Sequence, residues 1–227
     1  GSYDEAYLQF VVARGAEAVL AAVADLRPAT LSATHAECGE GFVVDADAPL
    51  HTDPYVGIVQ AREAGGDAVI ATFVTIANHP ETLWTDDTEI SADFPQVLRS
   101  RLEDDVGGMA LYASADAGLM QTPAKDVPPG FERMEAIGTR YADAVLAALP
   151  AAIDLPPGAT ITYGRATIPT ELENVQLYAG VELGIAEGYK DYLYWIKSDP
   201  MCGKLGCLDL PVMSLRLGDL VTLLSLP

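Results

Sequence analysis

The sequence is poor in positive charge. Four lysines and nine arginines stand against 33 acidic residues, for a net charge of −20. A phosphate backbone repels such a surface, so nucleic acid is excluded as a partner, and anionic membranes are disfavoured for the same reason. No run reads as the ~20 consecutive apolar residues of a transmembrane helix, so no membrane span is expected. Cysteine and histidine are each present only three times, which leaves no dense disulfide framework and few imidazoles for metal chemistry. There is no Gly-x-Ser-x-Gly elbow, no Gly-x-x-x-x-Gly-Lys loop, no Gly-x-Gly-x-x-Gly and no His-Glu-x-x-His. Serine-hydrolase, nucleotide-binding and common metalloprotease chemistries therefore lose their usual support. Apolar side chains, by contrast, make up half of the 227 residues. A chain of this size buries roughly 70% of its unfolded surface and folds without a metal or disulfide to hold it.

The length suits one full domain or two small ones. The pattern of elements predicts an α/β fold, expected as a single domain over 1–227 in line with the resemblance its motifs carry. Its sheet is mixed and partly parallel, flanked by helices, and the chain closes in an antiparallel hairpin. Residues 4–24 read as an amphipathic helix with Leu8, Val12, Val19 and Val23 near one face. Residues 30–35 alternate as a half-buried strand, Leu31, Ala33 and His35 facing one way. The stretch 37–54 reads as a long irregular loop. Two strands, 55–60 and 67–77, are joined by a Gly-Gly turn; the second is apolar on both sides, as in a strand covered above and below. Asp93 is the expected cap of a helix that Gly107-Gly108 ends, and 109–114 is the next strand. This strand–helix–strand unit implies parallel neighbours. A helix over 131–149 follows, then a strand over 160–168. Residues 172–197 read as a helix pair softened by Gly180, Gly184 and Gly188. Gly218-Asp219 reads as a two-residue hairpin turn.

Of the histidines, His35 reads as a core or core-edge residue making one hydrogen bond, and His51 as solvated. His79 sits where the two-sided apolar strand ends, and ligands in α/β sheets bind beyond the carboxyl ends of strands. A neutral imidazole on a rigid strand end is a zinc ligand by chemistry. The neighbouring strand leads into Asp116, Gly118, Gln121 and Thr122, so both strands deliver these residues to one edge. The acidic residues Asp86, Asp87 and Glu89 read first as a solvated loop and second as metal carboxylates. Cys202 and Cys207, with four residues between them, read either as a short-loop disulfide in an oxidising compartment or as two free thiols; Cys38 has no evident partner. The aromatic cluster from Tyr189 to Trp195 reads as core, or as a lipid- or partner-binding surface.

The motifs in order carry a resemblance. Val-Thr-Ile-Ala-Asn-His-Pro-Glu-Thr-Leu at 74–83, Ile-Ser-Ala-Asp-Phe-Pro at 90–95, and Ala-Leu-Tyr-Ala-Ser-Ala-Asp-Ala-Gly at 110–118 with Thr122-Pro123 resemble the N-terminal domain of neutral/alkaline non-lysosomal ceramidases. The helix over 131–149 and the closing segment 215–227 extend the match over most of the chain. The resemblance implies a zinc amidase that cleaves the N-acyl bond of a lipid-like substrate, acting outside the cytoplasm, secreted or periplasmic. It implies a zinc ion held by two histidines, a glutamate and a tyrosine, with His79 as the second histidine. It places Asp116, Gln121 and Thr122 in the catalytic loop, Thr122 being the nearest hydroxyl to the family's loop serine, which is absent here. It also places the family's first zinc histidine upstream of the equivalent of Asp4, and its zinc glutamate just beyond Pro227. One matched zinc ligand is therefore expected in these residues, which read as an incomplete portion of the family domain. The alternative expectation is a non-catalytic lipid- or partner-binding domain of the same fold.

Overall fold

A computed structural model describes residues 4–38, 43–45, 51–83, 88–118, 120–121, 130–171, 175–183, 195–196 and 207–225. The chain forms two compact units, Gly1–Ala152 and Ile153–Pro227.

The first unit opens with α1, Glu5–Ala24. Asp4 caps it by accepting from the backbone N–H groups of Ala6 and Tyr7. The strands are β1 (Ala29–Glu37), β2 (Val44–Asp45), β3 (Tyr55–Glu63) and β4 (Val69–Ile76). Helix α2 (Phe94–Val106) leads to β5 (Met109–Ser114) and β6 (Met120–Gln121); α3 (Phe131–Ala148) follows, extended by a 3-10 turn at Leu149–Ala151. Within this unit the main strands lie in the order β5-β4-β3-β1. β1 and β3 pair antiparallel from Ala29↔Glu63 to Glu37↔Tyr55, and β3 and β4 are antiparallel with an irregularity at Ala61/Arg62. β4 and β5 run parallel, from Ala71↔Met109 to Ile76↔Ser114. The predicted strand–helix–strand crossover is thus observed, and with it the mixed sheet.

Helices α2 and α3 cover one face of this sheet. Val56, Ile58, Val74, Ile76 and Ala110 from the strands meet Phe94, Leu98 and Leu102 of α2 and Ile137, Tyr141 and Val145 of α3. Each fully buried aliphatic side chain contributes about 1.5–3 kcal/mol. The helices cross at Gly138, where a Cβ would lie 2.5 Å from Val97 Cβ and 2.8 Å from the Phe94 carbonyl oxygen.

Three expectations change here. In β1 the covered face receives Ser32, Thr34 and Ala36, leaving Leu31, Ala33 and His35 on the other side, where His35 is exposed. The sequence alternation was right, but the deeper face is the more polar one. β4 is covered on one side only: Thr72, Val74 and Ile76 are buried, while Val69, Ala71, Phe73 and Thr75 are half-buried. Helix α1 is not amphipathic. Apolar residues occupy all its sides, and none of its residues is buried. By length and composition it is apolar enough to cross a membrane, which the uninterrupted-run criterion had excluded; a signal sequence meets the same test.

The second unit begins with β7 (Ile153–Asp154) and continues with β8 (Ile161–Glu171), α4 (Val175–Glu182), β9 (Trp195–Ile196), β10 (Cys207–Leu217) and β11 (Val221–Ser225). The order is β11-β10-β8, all antiparallel, with β9 also on β10. The closing hairpin is present, but Leu217 pairs with Val221, so three residues rather than two form the loop. Gly218 takes φ +55°, a conformation that favours glycine. Of the predicted helix pair over 172–197, α4 is observed; residues 184–194 lie outside the described set, and 195–196 are strand.

Candidate functional site

The parallel pair β4 and β5 ends at one edge of the first sheet. Beyond β4 come Asn78 and His79, and beyond β5 comes the segment from Ala115 to Gln121. Backbone bonds close them on each other. The Ala115 N–H donates to the Ile76 carbonyl (2.9 Å), and the His79 N–H donates to the Met120 carbonyl (3.1 Å). Gly118, at φ +47°, turns its carbonyl toward the imidazole, and His79 Nε2 donates to it at 2.8 Å. A carbonyl only accepts, so Nε2 carries the proton and the lone pair of the neutral ring is on Nδ1. A metal-ligating histidine is oriented in this way, with one ring nitrogen donating to a carbonyl and the other presenting its lone pair.

Beneath His79, Asn78 is fully buried. Its Nδ2 donates to the Tyr141 hydroxyl oxygen (2.9 Å), and its carbonyl accepts from the Tyr112 hydroxyl (3.3 Å). Burial raises the pKa of both phenols; the bond to Asn78 opposes the rise at Tyr141, and the bond to Ser114 opposes it at Tyr112. Both hydroxyls stay protonated and tie the strand end to α3 and β5. This support is absent from the sequence reading. Asn78 has only its place beside His79 to mark it, and nothing in the pattern pairs it with Tyr141, 63 residues away.

A second missed element is the ladder between β2 and β6. Val44 pairs with Gln121 and Asp45 with Met120, so part of the supposed loop 37–54 joins the His79 edge. The Asp53 N–H contacts the Met120 sulfur at 3.3 Å. Half-buried Asp45 is thereby a candidate residue of this edge; its only sequence signal is the short apolar pair Val43-Val44 before it.

Of the predicted residues, His79 bonds to Gly118 and Met120 of the segment after β5; that segment also carries Asp116, which is exposed, and the backbone of Gln121, which pairs with Val44. The Gln121 side chain and all of Thr122 lie outside the described residues, as do Asp86 and Asp87; Glu89 is exposed, as a solvated loop residue is. His51 is exposed, as expected. His35 is not a core residue: it is exposed, with its ring edge-on to Tyr55 at 5.4 Å between centroids. Cys202 and residues 189–194 are outside the described set, and Cys207 and Trp195 are placed by backbone alone. Cys38 is a buried free thiol whose pKa desolvation pushes up to about 11, the opposite of an activated nucleophile.

Zinc is what the resemblance implies for this edge. His79 fits one ligand position, since the Gly118 carbonyl sets its tautomer. The rest does not fit: among the described residues no group of three or more His, Cys, Asp or Glu side chains is placed to hold a metal ion. A catalytic zinc needs about three protein ligands.

No protein-family model matches the chain, and no curated protein sequence does. Among solved structures, the neutral ceramidase from Pseudomonas aeruginosa superposes with a TM-score of 0.63 at 15% identity, over 91% of this chain and 41% of that one. A ceramidase complexed with C2 superposes with a TM-score of 0.58 at 16% identity, over 88% of this chain and 42% of that one. The chain spans less than half the length of these ceramidases, and its fold is that of a partial neutral ceramidase domain.

Proposed function

We propose that this chain supplies part of a zinc-dependent hydrolase that cleaves an N-acyl amide bond in a lipid-like substrate. The observation that carries the reading is the His79 edge. In a ceramidase-like fold, the one well-oriented imidazole stands at the carboxyl end of a parallel strand, its Nε2 held by the Gly118 carbonyl. Zinc, when bound, polarises a carbonyl and brings the pKa of a bound water to about 7. His79 would give one ligand, and a catalytic zinc would need further ligands from outside the described residues. Asp116, Gln121 and Thr122 would face the amide from the loop after β5. The oxidising-compartment reading of Cys202 and Cys207 goes with a secreted or periplasmic location.

The second reading is a non-catalytic lipid- or partner-binding domain of the same fold, favoured by the incomplete ligand set among the described residues. Elemental analysis after dialysis against a weak chelator separates the two. Near-stoichiometric zinc that disappears in His79→Ala supports the hydrolase. Zinc in neither protein, or zinc retained by His79→Ala, removes it and leaves the binding domain.

A further inference from the structure

Helix α2 opens on a residue in a strained conformation. Asp93 takes φ +55° and ψ −159°, the one non-glycine residue at positive φ among the described residues. Only glycine adopts that region readily, and such outliers persist where the surrounding bonds hold them. Capping the helix does not require the strain. An ordinary cap is extended and accepts from the second or third N–H of the helix. Here the second position is Pro95, which has no N–H, and the Gln96 N–H at the third donates to the Asp93 carbonyl at 3.0 Å.

The carboxylate is committed elsewhere. Its Oδ1 accepts from the Thr82 hydroxyl at 2.7 Å and from the Phe94 N–H at 2.6 Å, and its Oδ2 accepts from the Leu83 N–H at 3.1 Å. The Asp93 N–H donates to the Ser91 hydroxyl at 2.9 Å. Thr82 and Asp93 are both buried, where hydrogen bonds to a carboxylate are strong. Only Pro80 and Glu81 separate Thr82 from His79, and the Glu81 N–H donates to the His79 carbonyl at 2.9 Å, which folds the turn between them. Phe94 sets its ring edge-on to Tyr112 at 5.9 Å and against Tyr141 at 5.4 Å, the two phenols that hold Asn78. The pair at the start of α2 thus grips the chain on both sides of His79, Phe94 through the support of Asn78 and Asp93 at Thr82 and Leu83.

We infer that Asp93 is a positioning residue for His79: its carboxylate fixes the turn that follows the imidazole, and that turn keeps Nε2 on the Gly118 carbonyl. A glycine at this position would relax the backbone and lose the carboxylate, so the bonds to Thr82 and Leu83 account for the strain. Any part of Asp93 in amide hydrolysis rests on the hydrolase reading; its hold on the imidazole does not.

The test reads the ring nitrogens of His79 by long-range proton–nitrogen correlation NMR on the full chain, without metal and in mildly alkaline buffer, where an imidazole is neutral. His79→Gln identifies its signals among the three histidines. The unaltered protein should show a single tautomer with the proton on Nε2. Asp93→Asn is an equally good helix cap, but its NH2 group must face one of the donors that the carboxylate accepts. The expected result is loss of the single tautomer, with far-UV circular dichroism and cooperative urea unfolding kept. Thr82→Val, which removes one donor, shifts the ring signals in the same direction and less. Leu102→Ala, a cavity in the buried side of α2 toward its far end, lowers the urea midpoint and leaves the ring signals in place. Signals unmoved in both Asp93→Asn and Thr82→Val overturn the inference and leave Asp93 a helix cap; if Asp93→Asn does not fold, Thr82→Val decides alone. Signals that move as far in Leu102→Ala overturn it as well, since general loosening then explains them. Zinc plays no part in this readout. Its absence from the protein removes the hydrolase reading and leaves the positioning of His79 standing, and unmoved ring signals do the reverse.

Discussion

Cys38 sits at the end of β1, its N–H bonded to the Pro54 carbonyl at 2.7 Å, with its thiol in the core shared by β1, β3 and α3. Burial favours the neutral thiol and pushes the pKa up to about 11. The sign for stability follows from linkage. The unfolded chain loses this proton first, near its ordinary pKa of about 8.5, so the contribution of Cys38 is whole below that pH and declines as pH rises toward about 11. Urea midpoints measured across this window should fall with pH, and Cys38→Ala should flatten part of the fall. The residual slope belongs to Tyr112 and Tyr141, raised in the same direction by burial. A slope unchanged in Cys38→Ala would mean that the thiol ionises in the folded state without penalty. The same residue scale shows what a sequence tells about the site. The place of His79 at a strand end was legible because a run of apolar residues stops at a polar one. Asn78 and Asp45 were not, because their roles rest on contacts from 63 residues away and on a two-residue ladder that no local periodicity announces.

At the scale of elements, the crossing of α2 and α3 turns on Gly138. Its backbone approaches Phe94 and Val97 so closely that any Cβ must displace the Phe94 carbonyl or the Val97 side chain. Gly138→Ala should gain helix propensity and still destabilise the protein by about 1–3 kcal/mol, since overpacking against a backbone atom outweighs the propensity gain. Chemical denaturation would show it as a lower midpoint with an unchanged slope; a higher midpoint would mean that the helices separate without cost. Helix α3 was legible, with Ile137, Tyr141 and Val145 falling in phase and facing the core. Helix α1 and strand β1 show the limit of the same reasoning. Four apolar residues near one side of α1 suggested a stripe, but Tyr7, Phe10, Val11 and Leu20 fill the remaining sides. In β1 the alternation gave the two faces, but not which of them the helices would cover. Ser32 and Thr34 lie on the covered side because the register with β3 places them there, opposite Gln60 and Ile58. Periodicity assigns residues to faces; only tertiary contact assigns a face to the core.

For the whole molecule, charge is the dominant long-range term. Thirty-three acids against 13 bases give every added anionic group a repulsive field, and the visible ion pairs offset little of it. Arg27 with Asp25 and Glu63, and Arg101 with Asp105 and Asp143, are solvent-exposed contacts that water and salt screen, so they add little. Screening acts on both terms with opposite signs: it weakens the few attractions and the many repulsions. Because repulsive pairs outnumber attractive ones, the thermal midpoint should rise as sodium chloride is increased from about 0.01 M, where the screening length is about 30 Å, to about 0.15 M, where it is about 8 Å. For a chain of this size a gain of about 1 kcal/mol appears as roughly 2–4 °C. Differential scanning calorimetry over that salt range, in a buffer free of divalent cations, reads the effect directly. A midpoint that falls instead would mean that the arginine-centred pairs carry more stability than the net charge removes. Substituting Arg27→Ala and Arg101→Ala together would then abolish the fall, whereas under net repulsion the double substitution steepens the rise, because it takes away two of the 13 positive charges.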